Sequence, residues 1–227
     1  MTVQQPTPPL RVREKLLTSG AQSLSDVELL TVFINSGSGR KSCMQLAHEL
    51  MKHVGDIRTL LNADLQTFQQ IPGLGKVRYG QLQAAREICR RSDFISLQKE
   101  TQLTTSQATH IFLKRQLRDK KNETFVALFL DSQNRVLAYE ELFNGTIDSA
   151  TVHPRPIIER IFKLNAASII LAHNHPSGLS DPSRQDIAVT ERLKAALDLV
   201  DVQLLDHLVI GDNEVYSILN AVKWRCN

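Results

Sequence analysis

The stretch Ala167–Asp186, ASIILAHNHPSGLSDPSRQD, decides how the chain is read. It opens as a β-rich apolar run and closes on two histidines, His173 and His175, spaced two residues apart. Side chains alternate along an extended segment, so these two imidazoles fall on the same side. A pair so placed can bind one divalent ion. Asp186 begins the next helical run and offers a carboxylate as third ligand. Two histidines and one carboxylate leave the fourth position of a tetrahedral zinc for water, the pattern of a catalytic site. Simpler roles exist for each residue alone. A histidine on a strand is usually a core residue. Ser183 and Asp186 also fit an N-terminal capping box, and Ser180 and Asp181 fit a turn. It is their joint occurrence that favours a metal.

On either side of this stretch the chain reads as alternating strands and helices. FVALFLD, the turn Ser-Gln-Asn and RVLAYEELF read as two strands joined by a turn. A helix is expected after Pro156, another over DIAVTERLKAALDLV, and strands at VQLLDHLVI and EVYSIL. This order predicts an α/β sandwich. A water held by a metal needs a base nearby, and EELFNGT (Glu140–Thr146), ending a strand, contains two candidates. By alternation only one of Glu140 and Glu141 can face the site, and period alone does not choose between them.

The N-terminal part has a different texture. Three prolines mark residues 1–10 as a loose arm. From Arg11 to about Arg91 the pattern is helical. Ser25 with Glu28, and Ser42 with Gln45, read as capping boxes, and Met44, Leu46, Ala47, Leu50 and Met51 form an apolar stripe. The segment IPGLGKV (Ile71–Val77) lies between two helical runs. Gly73 and Gly75 suit a tight turn with positive φ. Backbone N–H groups at the following helix start, with Lys76 and Arg78, could hold a phosphate. A connection that only packs two helices is the plainer alternative. Around Ser92–Thr105 the pattern turns polar, which places the domain boundary there, and a helix is expected over Ser106–Arg118.

The 227 residues suffice for one or two domains with a real core. With 42% hydrophobic and 22% charged residues the chain is a globular protein rather than a disordered one. No apolar run reaches the roughly 18 residues of a membrane span, and the first ten residues lack a signal-peptide pattern. Cys43, Cys89 and Cys226 are too scattered for a disulfide framework, which fits a reducing cytoplasm. Residues 1–100 carry 13 Lys and Arg against 9 Asp and Glu, whereas residues 101–227 carry 14 against 15. Five of the seven histidines lie in the second part. One part suits a polyanion and the other a metal.

HNHPSG, followed by Ser183 and Asp186 and preceded by ELF-x-GT, resembles the JAMM (MPN+) metalloprotease signature. REKLLTSGAQSLSDVELL, IPGLGK, VHPR, PSRQD and LLDHLVIG extend the resemblance to the RadC-like family, also called UPF0758, over nearly the whole chain from Arg11. The resemblance implies an α/β JAMM domain of the cytidine-deaminase-like type (105–227), preceded by an all-α helix-hairpin-helix domain (11–100). It implies Zn²⁺ on His173, His175 and Asp186, and it selects Glu141 as the base. Ser183 would donate to the developing oxyanion, an interaction worth about 3 kcal/mol in comparable sites. The expected activity is amide-bond cleavage in a peptide or protein. The alternative is a DNA-binding protein of repair or recombination acting through Gly73, Gly75, Lys76 and Arg78. A catalytically inert scaffold is disfavoured because all five signature residues are present. His153 and His207 are expected to be structural or supporting. Where the family usually reads Pro-Arg-Glu after Val-His, this chain has Pro154-Arg155-Pro156, which bears on helix capping rather than on metal binding. Three lookalikes fail on spacing: the HNH nuclease, the HxHxDH hydrolase and the zinc deaminase.

Overall fold

A computed structural model describes residues 11–98, 107–145 and 152–225. The proline-rich arm, the polar stretch 99–106, Thr146 and Cys226 lie outside the described residues. The chain divides into two compact units, one ending at Ile88 and one beginning at Cys89.

The N-terminal unit is helical, with α1 (Val12–Ser19), α2 (Asp26–Ile34), α3 (Cys43–Val54), α4 (Ile57–Asn62), α5 (Leu65–Gln69) and the start of α6 (Lys76–Gln98). Its helix starts obey their capping chemistry. Ser25 Oγ accepts from Glu28 N while Glu28 returns to Ser25 N, and Ser42 and Gln45 do the same. Asp56 and Asp64 cap α4 and α5 through Thr59 N and Thr67 N, each at 2.8 Å. The core gathers Leu30, Ile34, Leu46, Ala47, Leu50, Leu60, Phe68, Ile71, Leu74 and Leu82. Met44 departs from the expected stripe and is exposed, whereas Met51 packs at its edge. The helical pattern expected to fade at Ser92 continues to Gln98. Phe94 and Leu97, three residues apart, carry it on by packing into a core of the second unit.

The second unit contains α7 (Gln107–Leu117), β1 (Thr124–Leu130), β2 (Val136–Asn144), α8 (Pro154–Leu164), β3 (Ser168–Asn174), α9 (Arg184–Asp198), β4 (Gln203–Ile210), β5 (Glu214–Ser217) and β6 (Val222–Arg225). One mixed sheet runs β2-β1-β3-β4-β5-β6. β1 is antiparallel to β2 and β3, β3 is parallel to β4 through the crossover helix α9, and β5 and β6 continue antiparallel. β1 and β3 are buried along their whole length, as central strands covered on both faces must be. Alternation then sorts their residues. Phe125, Ala127, Phe129, Ile169 and Leu171 face Ile157 and Ile161 of α8 and Val189, Leu193 and Leu197 of α9. Val126, Leu128, Leu130, Ile170 and Ala172 face Phe112, Leu113 and Leu117 of α7. β6 was not anticipated, and α8 begins at Pro154 rather than after Pro156, with no side-chain cap from His153.

Truncating Leu171, wholly buried in the central strand, to alanine is expected to cost about 2–5 kcal/mol. Leu199→Ala, at an 86% exposed position, should stay within about 0.5 kcal/mol of wild type. Urea unfolding monitored by circular dichroism separates the two outcomes.

Candidate metal centre

His173 is the penultimate residue of β3, paired across the ladder with Phe125 near the start of β1 and Val209 near the end of β4. His175 follows the strand, and its N–H continues the ladder to Ile210 O at 3.1 Å. The two Nε2 atoms stand 3.1 Å apart. Asp186 reaches them from the first turn of α9, with Oδ1 3.3 Å from His173 Nε2 and Oδ2 3.5 Å from His175 Nε2. Glu123, the residue before β1, places Oε1 3.7 Å from His175 Nε2. Ligand atoms of these four residues all lie within 4.8 Å of one another.

The donor chemistry suits a cation. His175 Nδ1 lies 3.0 Å from Leu179 O, and a carbonyl only accepts, so Nδ1 carries the hydrogen and Nε2 of the neutral ring carries a lone pair. With Zn–N distances near 2.0–2.1 Å, two tetrahedral ligands sit about 3.3 Å apart. The separations of 3.1, 3.3 and 3.5 Å among His173, His175 and Asp186 match that spacing.

Burial alone would raise the pKa of Asp186, but the facing His173 and His175 imidazoles and the hydrogen bond with Ser183 hold it well below the usual carboxylate range. Asp186 in turn raises the pKa of His175, with burial opposing. His207 goes the other way: complete burial, then the neighbouring His173, push it well below the usual histidine value.

The surrounding residues hold the four in place. Ser183 and Asp186 form the capping box of α9, and Asp186 also belongs to the cluster. Ser183 Oγ accepts from Asp186 N at 3.1 Å, and Asp186 Oδ2 accepts from Ser183 N at 2.6 Å. The Ser183 hydroxyl hydrogen is left to donate elsewhere. Asn174, whose side chain points away from His173 by strand alternation, has a task of its own. Its Oδ1 accepts from Thr124 N at 2.8 Å, and its Nδ2 donates to Lys120 O and Asn122 O at 3.2 Å each. It thereby clamps the segment that carries Glu123. Gly211 is the other constraint, since a Cβ there would lie 2.6 Å from Gly178 O and against Leu179, the acceptor for His175.

The structure does not bring Glu141 to the histidines. Glu141 is paired with Val126 in the β1–β2 ladder and shares that residue's face, toward α7. His173 is paired with Phe125 and occupies the opposite face. Glu141 instead meets Lys120 Nζ at 2.6 Å. Glu140, on the other face, meets Arg160 of α8 at 2.5 Å. Glu123 takes the place expected of Glu141. Its signal in the sequence is a carboxylate directly before a wholly apolar strand, but the neighbour relation of β1 and β3 is needed to use it. His153 is exposed, and His207 is buried behind His173.

In the turn between α5 and α6, Gly73 has φ +102°, and a Cβ there would meet Ser38 Cβ at 2.6 Å. Gly75 has neither constraint, contrary to the expectation of positive φ at both. The Arg78 guanidinium donates to Gly73 O, to Ser36 O at 2.6 Å and to Gly37 O at 3.4 Å, so it ties the turn to the α2–α3 loop. Lys76, the first residue of α6, is exposed.

A mixed sheet between helices, with two histidines and two carboxylates gathered at a strand end, defines a candidate metal centre in an α/β domain. Residues 103–223 match the RadC-like JAB domain and residues 5–80 match the UPF0758 N-terminal family, so the chain belongs to the RadC-like, UPF0758 family. A UPF0758 protein of Legionella pneumophila (strain Corby) is 67% identical over 227 residues, covering 100% of both chains. UPF0758 proteins of Nitrosococcus oceani and Saccharophagus degradans are 50% and 48% identical over 207 residues, each covering 91% of this chain and 92% of its own. Among the described residues no helix is long and apolar enough to cross a membrane.

Two outcomes are expected. Gly211→Ala should displace the Gly178–Ser180 loop and weaken divalent-metal binding, measured with Zn²⁺ as the probe ion by competition with a chromogenic chelator. The pH dependence should have opposite signs with and without metal. The raised pKa of His175 means that its pairing with Asp186 stabilises the metal-free fold at low pH and is lost as pH rises from about 6.5 through the raised value. A metal ion competes with that proton, so metal affinity, probed with Zn²⁺, should rise over the same interval. Thermal melts and Zn²⁺ titrations from about pH 6 to 8.5 test both signs.

Proposed function

We propose that the chain is a zinc-dependent hydrolase that cleaves amide bonds in a peptide or protein, a JAMM-type metallopeptidase or isopeptidase. The observation that carries this reading is the convergence of His173 Nε2, His175 Nε2 and the Asp186 carboxylate at tetrahedral spacing, with Glu123 beside them. His173, His175 and Asp186 would hold the ion, and Glu123 would stand beside it as general base. When bound, Zn²⁺ supplies Lewis acidity, lowering the pKa of water toward neutrality and polarising a carbonyl.

The chain's own residues supply the proton traffic. Glu123 would take a proton from the attacking water and return it to the leaving amine nitrogen. Ser183 would donate its free hydroxyl hydrogen to the carbonyl oxygen as negative charge gathers there. Asn174 would hold the Glu123 segment at the working distance. Membership in the family and the four-residue cluster support the class of reaction, and the family resemblance supports the amide substrate. A DNA role of the hairpin has less support, because Arg78 is engaged with Ser36, Gly37 and Gly73.

The test combines metal content with hydrolysis of a peptide and isopeptide library. Wild type grown with zinc should retain about one Zn²⁺ per chain. Glu123→Gln should keep the metal and lose hydrolysis by at least about 10²-fold, as expected for a base. Glu141→Gln should leave hydrolysis within a small factor of wild type. A wild-type chain that stays zinc-free under those conditions overturns the reading. Loss of zinc in Glu123→Gln would make Glu123 a ligand instead of a base.

A further inference from the structure

Behind His173 a buried line of polar groups runs back to the helix that carries Asp186. His173 Nδ1 lies 2.9 Å from His207 Nε2, His207 Nδ1 lies 2.6 Å from Thr190 Oγ1, and Thr190 Oγ1 lies 2.6 Å from Asp186 O. His173 and His207 have no exposed surface, and Thr190 is nearly as buried.

The direction of every bond in this line follows from its end. A carbonyl oxygen only accepts, so the single hydrogen of the Thr190 hydroxyl goes to Asp186 O. The hydroxyl must then accept from His207, which puts the ring hydrogen on His207 Nδ1. A second ring hydrogen would place a charge where no solvent reaches, which is costly. His207 Nε2 therefore presents a lone pair and accepts from His173 Nδ1. His173 Nε2 is left with its own lone pair, 3.3 Å from Asp186 Oδ1.

We propose that His207, oriented by Thr190, is a positioning residue that holds His173 in the Nδ1–H form and so delivers its Nε2 to the metal as a lone pair. This rests on the reading of His173 as a metal ligand. The line begins and ends at the same residue. It leaves Asp186 from the backbone carbonyl and passes by hydrogen bonds through Thr190, His207 and His173, whose Nε2 lone pair then faces the Asp186 carboxylate across the metal position. The other histidine gets the same tautomer from a backbone group, Leu179 O, which no side-chain substitution removes. Only the His173 lock depends on side chains. A metal-ligating histidine usually donates its second N–H to a carboxylate, backbone carbonyl or water, and here a second imidazole takes that part.

A kink in β4 makes the contact geometrically available. The β3–β4 register advances from Ile169 opposite Leu204 to Ile170 opposite Asp206, so Leu205 is the extra residue of a bulge. The bulge puts His207 on the same face as Leu204 and His173, where strict alternation would turn it to the other face. Asp206 braces it, accepting from His207 N and from Ser217 Oγ, each at 2.7 Å.

The test uses the full chain labelled with ¹⁵N-histidine, with long-range ¹H–¹⁵N correlation spectra taken before and after Zn²⁺ addition, and Zn²⁺ affinities from chelator competition. His207 should be protonated at Nδ1 in both states, and His173 likewise. His207→Leu and Thr190→Val should weaken Zn²⁺ binding by about 10–100-fold, the range for partners behind a metal ligand. His207→Gln and Thr190→Ser, which restore an acceptor and a hydroxyl, should recover most of it. If His207→Leu fails to fold, the wild-type spectra and the two Thr190 variants still decide. Zn²⁺ uptake with His207 protonated at Nε2, or wild-type affinity in folded His207→Leu, overturns this proposal alone. A wild type that takes up no Zn²⁺ overturns the metal reading on which it rests.

Discussion

β3 is hydrogen-bonded on both sides, antiparallel to β1 and parallel to β4, and its pairing register fixes the site. The end of β3, the start of β1 and the end of β4 coincide because Phe125, His173 and Val209 lie in one row. A shift of one residue in either ladder would turn His173 toward α7 or carry Glu123 away from it. The interior strands resist such a shift because both faces are packed. Each side of β1 and β3 fits a different set of helices, and a slip would exchange the two sets.

The site is therefore built from strand termini and one helix start, where backbone groups are unsatisfied and side chains can converge. Asp186 serves the fold and the site at once. One carboxylate oxygen closes the capping box on Ser183 N, and the carboxylate as a whole faces both histidines. Its charge is favourable at the positive end of the α9 dipole. Reading Ser183 and Asp186 as a cap and reading them as site residues were competing interpretations of the sequence. In the folded chain they are compatible, because a carboxylate has lone pairs for both tasks.

The histidines show how buried polar groups become specific. Three imidazoles at neighbouring positions would be costly in an apolar core if any nitrogen lacked a partner. The contacts of His173, His175 and His207 give each ring nitrogen a neighbour and each ring a direction. Two of those directions come from acceptor-only carbonyls, Leu179 O and Asp186 O. The backbone thus dictates the tautomers, from four residues away for His175 and through Thr190 for His207, and the two Nε2 lone pairs meet at one point.

The pair His173 and His175, the carboxylate Asp186, the helical N-terminal part and the order of strands and helices through β5 were all legible from the chain alone. Each depends on local periodicity or on spacing within about a dozen residues. The capping boxes at Ser25, Ser42 and Ser183 were legible for the same reason. Glu123 was not, because its place beside His175 comes from the pairing of β1 with β3, fifty residues away in sequence, and no local pattern reports which strands are neighbours. The family motif points to Glu141, which strand pairing puts on the other face of the sheet. The task of His207 was hidden by the bulge at Leu205, which changes the parity of β4. Short-range chemistry determined which residues could bind a metal, and only the register of the sheet decided which glutamate and which third histidine stand behind them.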